Sequence, residues 1–430
     1  MNTGLILMFV ALAVCLLIGV PVAFSIGISC MTLLYVNGGP SMDILLQRMV
    51  SGAKSFNMLA MPMFIFAGAL MVYGSTPRLI KLANMLLRKF PGGLGATAMA
   101  ACGFFGAVSG SGVASAAAIG KIIGPSMLEE GYPKGLTAGL IAAGGTMACI
   151  IPPSIVMVVY AQSASVSVGD MFLGGVVPGL LTIIALIALN SFFAVRRQKK
   201  ENKDPHEYTV NERMKIILDA LLPLLMPVAI LGGVFSGLCT ATEAAVVAVV
   251  YALIISLTVY RDMKLSELPQ VFVEASVSTA TIMMMVGLSK ASSYVVVTSG
   301  LPQQLLDVFT SITSNRIVIL LLLNLLFLII GMLMEANAAV VMMTPILLPL
   351  LNAFGIDLLQ FGIVMSFNLC IGLVTPPVGL CLLLCNQTGE TRLSHSLKAM
   401  MPMLLISIIV LFLITYVSPL TTLLPSIMAG

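Results

Sequence analysis

The stretch Phe105-Gly-Ala-Val-Ser-Gly-Ser-Gly-Val-Ala-Ser115 places Ser109, Ser111 and Ser115 among small residues. Small side chains permit a tight reversal of the chain, and three hydroxyls join backbone carbonyls as oxygen donors. Such oxygens suit a hard cation such as Na⁺, while the helix N-termini flanking a reversal suit a carboxylate. Gly110 and Gly112 leave room for a bound anion to approach the backbone there. Helix packing through Gly106-x-x-x-Gly110 would account for the glycines, but not for three hydroxyls at one spot. A second stretch, Gly331-Met-Leu-Met-Glu-Ala-Asn337, puts Glu335 inside an otherwise uncharged apolar run, with the Asn337 amide two residues on. An acid in such a run needs a function or a partner. Lys290, also in an apolar run, is either a partner for an acid or an attraction for an anion.

Two further constellations involve proline. Gly144-Gly145-Thr146 precedes Pro152-Pro153-Ser154, and Asn368 and Gly372 precede Thr375-Pro376-Pro377. Proline removes a backbone donor and interrupts the i→i−4 ladder. Carbonyls near 146–151 and 370–375 are therefore expected to be free. Each serine- or acid-bearing reversal, facing a break, is expected to enclose one cation. The candidate cation ligands are Ser109, Ser111, Ser115, Thr146, Glu335, Asn337 and Thr375. The candidate substrate contacts are Gly110, Gly112, Ser154, Asn368 and Lys290. Glu243 follows Thr240 at the start of an apolar run, where a Thr or carboxylate first serves as a cap.

These residues need elements to hold them, and composition says what those elements are. Of 430 residues, 59% are hydrophobic and 9% charged, against about 25% charged in soluble domains. Mean hydropathy is +1.10. Apolar runs of roughly 18 or more residues recur, each long enough to span a bilayer as a helix, and they do not alternate as barrel strands do. The expected class is an all-α polytopic membrane protein. Met1 to Val36 lacks the positive start of a signal peptide and reads as one broken or two short helices split near Gly19 and Pro21. The eight cysteines fall in apolar segments without a CxxC pair and read as small core residues.

The chain repeats itself. Pro152-Pro153 recurs as Pro376-Pro377, 224 residues on, and the same offset carries Pro125 to Pro349, Gly131 to Gly355, Ser111 to Glu335 and Gly144 to Asn368. Apolar helices are expected at 57–74, 136–165, 170–196, 214–236, 241–259 and 273–299, with re-entrant hairpins at 95–125 and 314–350. Surface-lying amphipathic arms are expected at 39–56, 75–92 and 301–313. Five crossings separate the two units, so they are inverted. With the basic loop after Arg196 placed inside, 17 of the 21 basic residues fall on one side, as the positive-inside rule demands. The expected organisation is N-terminal scaffold 1–56, first repeat 57–165, connecting helices 166–272 with a cytoplasmic loop 196–215, second repeat 273–388, and a C-terminal helix 389–430. Inverted repeats with broken helices mark secondary transporters whose sites lie at the midplane.

Several motifs together resemble the large membrane (DctM-like) subunit of tripartite ATP-independent periplasmic (TRAP) transporters. They are GVPVAF at 19–24, PGGLG at 91–95, FGAVSGSGVAS at 105–115, IIPPS at 150–154, GGVFSGLCTATEAAVVAVVYAL at 232–253 and GLVTPPVGL at 372–380. Gly112 and Val113 stand where the commoner tip is more polar. The resemblance implies an elevator-type transporter of the bacterial inner membrane, driven by Na⁺ and without a cofactor. It implies a small four-helix membrane subunit and a periplasmic binding protein as partners. The cargo would be a small organic anion such as a C4-dicarboxylate, keto acid or sugar acid. It places the cation-binding elements on Ser109, Ser111 and Ser115, on Glu335 and Asn337, and on the Thr375-Pro376-Pro377 break. A stand-alone Na⁺/anion symporter would share all of these features. An intramembrane protease is disfavoured, since no His lies in an expected span to act as base. Gly52-Ala-Lys54-Ser55 is only a fragment of a phosphate-binding loop, so neither nucleotide nor nucleic acid is an expected partner.

Overall fold

The computed structural model describes residues 3–38, 41–54, 56–197, 208–376, 379–388 and 391–428. Pro377, Lys199, Lys200, Lys203 and His206 lie outside the described residues. Among the described residues every regular element is helical, and eight helices are long and apolar enough to cross a membrane. The chain opens with α1 (Thr3–Ile18) and α2 (Val22–Asn37), separated at Gly19, whose φ of +88° only glycine adopts readily. Next come α3 (Met42–Ala53) and the long α4 (Ala60–Leu87).

The first repeat continues as α5 (Gly93–Ser109), α6 (Gly112–Glu129), α7 (Lys134–Ala148) and α8 (Ile155–Ala164). Connecting helices α9 (Val168–Arg197), α10 (Val210–Phe235) and α11 (Ala241–Ile254) lead to α12 (Leu268–Thr298) and the short α13 (Leu301–Ile312). The second repeat then runs α14 (Arg316–Leu333), α15 (Ala336–Ala353), α16 (Leu358–Gly372) and α17 (Leu380–Thr388), and the chain ends with α18 (Leu393–Tyr416) and α19 (Pro419–Met428). The 224-residue offset holds for whole elements: α6 maps onto α15 and α7 onto α16 without a residue's slip at either end. Gly131 and Gly355, both at positive φ, turn the chain at equivalent places.

The repeats interlock instead of lying side by side. The second arm of each hairpin packs on the far half of the other repeat's broken helix, α6 on α17 and α15 on α8. Tyr160 of α8 donates its hydroxyl to Leu358 O at 2.8 Å. Gly362 makes room for that ring, since a Cβ there would lie 2.1 Å from it. The hairpin–break contacts are equally close. A Cβ on Gly106 would meet Ala148 Cα at 2.4 Å, and one on Gly372 would meet Gly331 O at 2.2 Å. Small residues let helix backbones touch where no hydrophobic drive separates protein from lipid.

One expected arm is corrected. Residues 75–87 continue α4 through Pro77 instead of forming a separate surface element. At the corresponding place in the second repeat Gly300, φ +75°, ends α12 and starts α13. Aligned by Pro77 on Pro302, an offset of 225 upstream of the hairpins, the first repeat has Ser75 there, which has no such freedom, so the helix runs on. α3 and α13 do stand as separate short helices.

Gly372→Ala should lower the stability of the purified protein by about 1–3 kcal/mol, because the added methyl must push α14 from α16. Gly232→Ala, with open space around the new methyl, should be neutral or slightly stabilising. Thermal unfolding in detergent reads both, and equal melting temperatures for the two variants would contradict the packing argument.

Candidate functional site

The two hairpin tips meet. A cavity of about 580 Å³ is lined by Ser109–Ala114 from the first tip and by Glu335–Asn337 from the second. Its opposite wall is α4, through Gly68, Val72 and Tyr73, and α12, through Glu274, Ser278 and Thr281.

At the first tip Gly110 sits at φ +63° and closes α5, and Ser111 caps α6 by accepting from Ala114 N. The three serines converge. Ser109 Oγ lies 3.2 Å from Ser115 Oγ, and Ser115 Oγ donates to Ser111 O at 2.7 Å. The tip is pinned to the first break: Ile155 N donates to Gly110 O at 3.4 Å, and Gly112 N to Cys149 Sγ at 3.0 Å. A Cβ on Gly110 would fall 2.7 Å from Pro153 O, so glycine is required twice over at that position.

The second tip uses different chemistry at the equivalent place. Glu335, matching Ser111, caps α15 by accepting from Ala338 N at 3.1 Å. Asn337 Nδ2 donates to Glu335 Oε1 at 2.6 Å. That leaves Asn337 Oδ1 as a buried acceptor with no partner. Buried polar atoms are nearly always paired, so such an orphan calls for an explanation.

The breaks are tighter than expected. Cys149, Ile150 and Ile151 amides return to Thr146 and Met147 carbonyls, and Ser154, the N-cap of α8, donates to Cys149 O. In the second break Leu373, Val374 and Thr375 amides bond to the Cys370, Ile371 and Gly372 carbonyls, and Cys381 N to Leu373 O. Of the carbonyls expected free over 146–151 and 370–375, those of Thr146, Met147 and 370–373 take amide bonds and that of Cys149 takes the Ser154 hydroxyl. Ala148 O is different, since its i+4 residue is Pro152, which has no N–H. The Thr146 and Thr375 hydroxyls bond within their own helix ends, to Ala143 O and to Ile371 and Gly372 O.

Three expected substrate contacts, Lys290, Asn368 and Ser154, are not among the cavity's lining residues, nor are the expected cation ligands Ser115, Thr146 and Thr375. Lys290 lies against α3, its Cγ 2.7 Å from where a Gly52 Cβ would be. Asn368 is wholly buried and donates to Asn324 O and Oδ1 at 2.9 and 3.0 Å. Asn324 Nδ2 in turn donates to Thr415 Oγ1 at 3.0 Å. This chain of amides ties α14, α16 and α18 together. Glu243 closes a capping box with Thr240, accepting from its N at 2.7 Å and its Oγ1 at 2.9 Å.

Sequence reasoning missed Glu274 and Cys149 as cavity residues. Glu274, Ser278 and Thr281 stand at i, i+4 and i+7, one face of a helix. That polar stripe was a usable signal. Cys149 carried none, because its role is to accept an amide proton from a hairpin 37 residues away.

A doubled hairpin and a doubled break around one cavity, in a chain of membrane-length apolar helices, define a membrane permease. The chain belongs to the family described as "Tripartite ATP-independent periplasmic transporter, DctM component", whose model matches residues 9–420. It is 37% identical to the isethionate TRAP transporter permease protein DctMQ of Oleidesulfovibrio alaskensis over 94% of this chain, and spans 64% of that relative's length. It is 37% identical to the C4-dicarboxylate TRAP transporter large permease protein DctM of Pseudomonas aeruginosa, over 94% of each. It is 34% identical to the sialic acid TRAP transporter large permease protein SiaM of Vibrio cholerae, over 96% of each. The YdaH transporter of Alcanivorax borkumensis shares the fold, with a TM-score of 0.61 and 14% identity over 88% of this chain and 90% of that one.

If the amide chain locks three helices together, Asn324→Ala and Asn368→Ala should be strongly non-additive. A double-mutant cycle on thermal stability should return a coupling of about 0.5–3 kcal/mol. Simple additivity would mean the two amides act independently.

Proposed function

We propose that the chain is the transporting subunit of a Na⁺-coupled uptake system for a small organic anion, working by an elevator mechanism in a bacterial inner membrane. The observation that carries this reading is the single cavity shared by both hairpin tips and walled by α4 and α12. The hairpins and broken helices form an interlocked block that moves past the scaffold helices with the cargo at its edge. The orphan Asn337 Oδ1 beside the Glu335 carboxylate fits a cation in the second tip, and the clustered oxygens of Ser109, Ser111 and Ser115 fit one in the first. The relatives named for isethionate, C4-dicarboxylates and sialic acid all take organic acids, which supports an organic anion without choosing among them. The uncovered third of the DctMQ relative supports a small membrane subunit as partner, and a periplasmic binding protein completes the set.

The energetics are favourable. Each net positive charge moved inward gains about 2.3 kcal/mol per 100 mV, so two or more Na⁺ carry a mono- or dianion and still draw on the gradient.

Uptake into proteoliposomes holding both membrane subunits should require Na⁺ outside and the binding protein. Equal uptake without the binding protein would point to a stand-alone symporter. Ser109→Ala and Asn337→Ala should each raise the Na⁺ concentration for half-maximal uptake, by about tenfold if one oxygen ligand is worth about 1.4 kcal/mol. Unchanged Na⁺ titrations in both would remove these residues from the cation sites.

A further inference from the structure

The cavity has a charge pattern at odds with an anionic cargo. Among the described residues lining it are two carboxylates, Glu335 and Glu274, and no Lys, Arg or His. Glu335 is held in the cap of α15. Glu274 is different. It lies on the opposite wall, on α12, is exposed, and its one described hydrogen bond is from Gln270 Nε2 at 3.1 Å. Nothing in the fold of α12 needs an acid there.

A second cavity, of about 590 Å³, adjoins the first, and Tyr73 of α4 lines both. Its walls include Arg78 and Lys81 of α4, Lys215 and Asp219 of α10, and Asp262 in the turn after α11. Arg78 is paired with Asp262 and lies 3.5 Å over the Tyr260 ring. Glu212 of the same cavity accepts from its own N-cap, Thr209 N at 2.8 Å and Oγ1 at 3.0 Å. Among the described residues the two cavities thus differ in charge: the inner holds two carboxylates and no base, and the outer sets Arg78, Lys81 and Lys215 against Glu212, Asp219 and Asp262. The lysines belong to the basic set that the positive-inside rule assigns to the cytoplasmic side.

We propose that the outer cavity is the exit path of the anion, with Tyr73 at its threshold, and that Glu274 is a release residue. While cations occupy the hairpin tips, the inner cavity tolerates an anion. Once they leave, Glu274 and Glu335 repel it past Tyr73 toward Lys81 and Lys215. The inference rests on the reading of an anion moving inward with cations, and it names the residues that speed release on the inner side.

The potential and the path can be read without knowing the cargo. Thr281→Cys reports on the inner cavity and Ile216→Cys on the outer. Inside-out vesicles carrying the full transporter, in Na⁺-free buffer, are treated with a cationic (trimethylammonioethyl) or an anionic (sulfonatoethyl) methanethiosulfonate. Each rate is followed at the introduced residue by peptide mass spectrometry and divided by that reagent's rate with a free thiol. At 281 the cationic reagent should be preferred by roughly threefold or more, and at 216 that preference should vanish. Adding Glu274→Gln should remove most of the preference at 281 and leave 216 unchanged, and Glu274→Asp should restore it. Tyr73→Trp should slow both reagents at 281 but not at 216. The same charge preference at both positions, a ratio at 281 indifferent to Glu274→Gln, or access to 281 indifferent to Tyr73→Trp would overturn the proposal. Uptake by the unmodified transporter that ignores Na⁺ would instead sink the coupled-uptake reading and leave this pattern standing.

Discussion

A helix that stops within an apolar bundle strands backbone donors and acceptors where no water reaches them, and each one left unpaired costs several kcal/mol. This chain stops helices in that setting four times, at two hairpin tips and two breaks. The rest of the structure depends on how those ends are satisfied. Side-chain caps do part of it: Ser111, Ser154 and Glu335 each accept from the amide three residues on. Turn bonds at the breaks do more: Thr375 N returns to Gly372 O, which Pro376 cannot serve, and in the first break the Ser154 hydroxyl serves Cys149 O in place of Pro153. The remainder crosses between elements, as with Gly112 N to Cys149 Sγ and Ile155 N to Gly110 O. The tips and breaks therefore hold each other, which is why they come in pairs. It is also why glycine is needed wherever one backbone rests on another, at Gly106, Gly110, Gly112 and Gly372.

That dependence explains what was legible in the residues and what was not. Membrane helices, the 224-residue repeat, the split at Gly19 and the two hairpins follow from apolar run length and from the placing of Gly and Pro, which act locally. The serine cluster and the Glu335–Asn337 pair also read directly, because polar groups in apolar runs are rare. The breaks did not read correctly in detail. Proline removes an i→i−4 donor, but nothing local says that the chain will tighten and reuse the same carbonyls. Asn368 and Lys290 stand off the cavity's lining for a related reason. Their types suit a ligand site, yet their direction is set by tertiary packing against Asn324 and Gly52. The running-on of α4 past Ser75 turns on one residue, since only the second repeat has glycine at that point.

The interlock of the repeats constrains how the molecule can move. With α6 on α17, α15 on α8 and Tyr160 bonded to Leu358 O, the hairpins and breaks cannot separate without exposing buried polar ends. α4 also packs closely on the first tip, where a Cβ on Gly68 would lie 2.9 Å from Ser109 Cα. The interlock fits the elevator reading better than independent opening of either hairpin.

The two repeats match in backbone but not in charge, and the mismatch lies at the equivalent N-caps. Ser111 caps α6 with a neutral hydroxyl, while Glu335 caps α15 with a carboxylate. A duplicated site with one neutral and one charged cap cannot bind two cations alike. The second tip offers Coulombic attraction as well as oxygen ligands, in a setting where screening is weak. The first offers dipoles only, and its α6 N-terminus stays net positive. Within the reading of cation-coupled anion uptake, the second tip is then the tighter cation site. The first tip, where the serine oxygens meet a positive helix end facing the cavity, is the weaker cation site and sets a helix N-terminus beside it for the anion's carboxylate or sulfonate. The asymmetry supplies an order of events: a cation at Glu335 first, which lowers the repulsion in the cavity, and the anion after it.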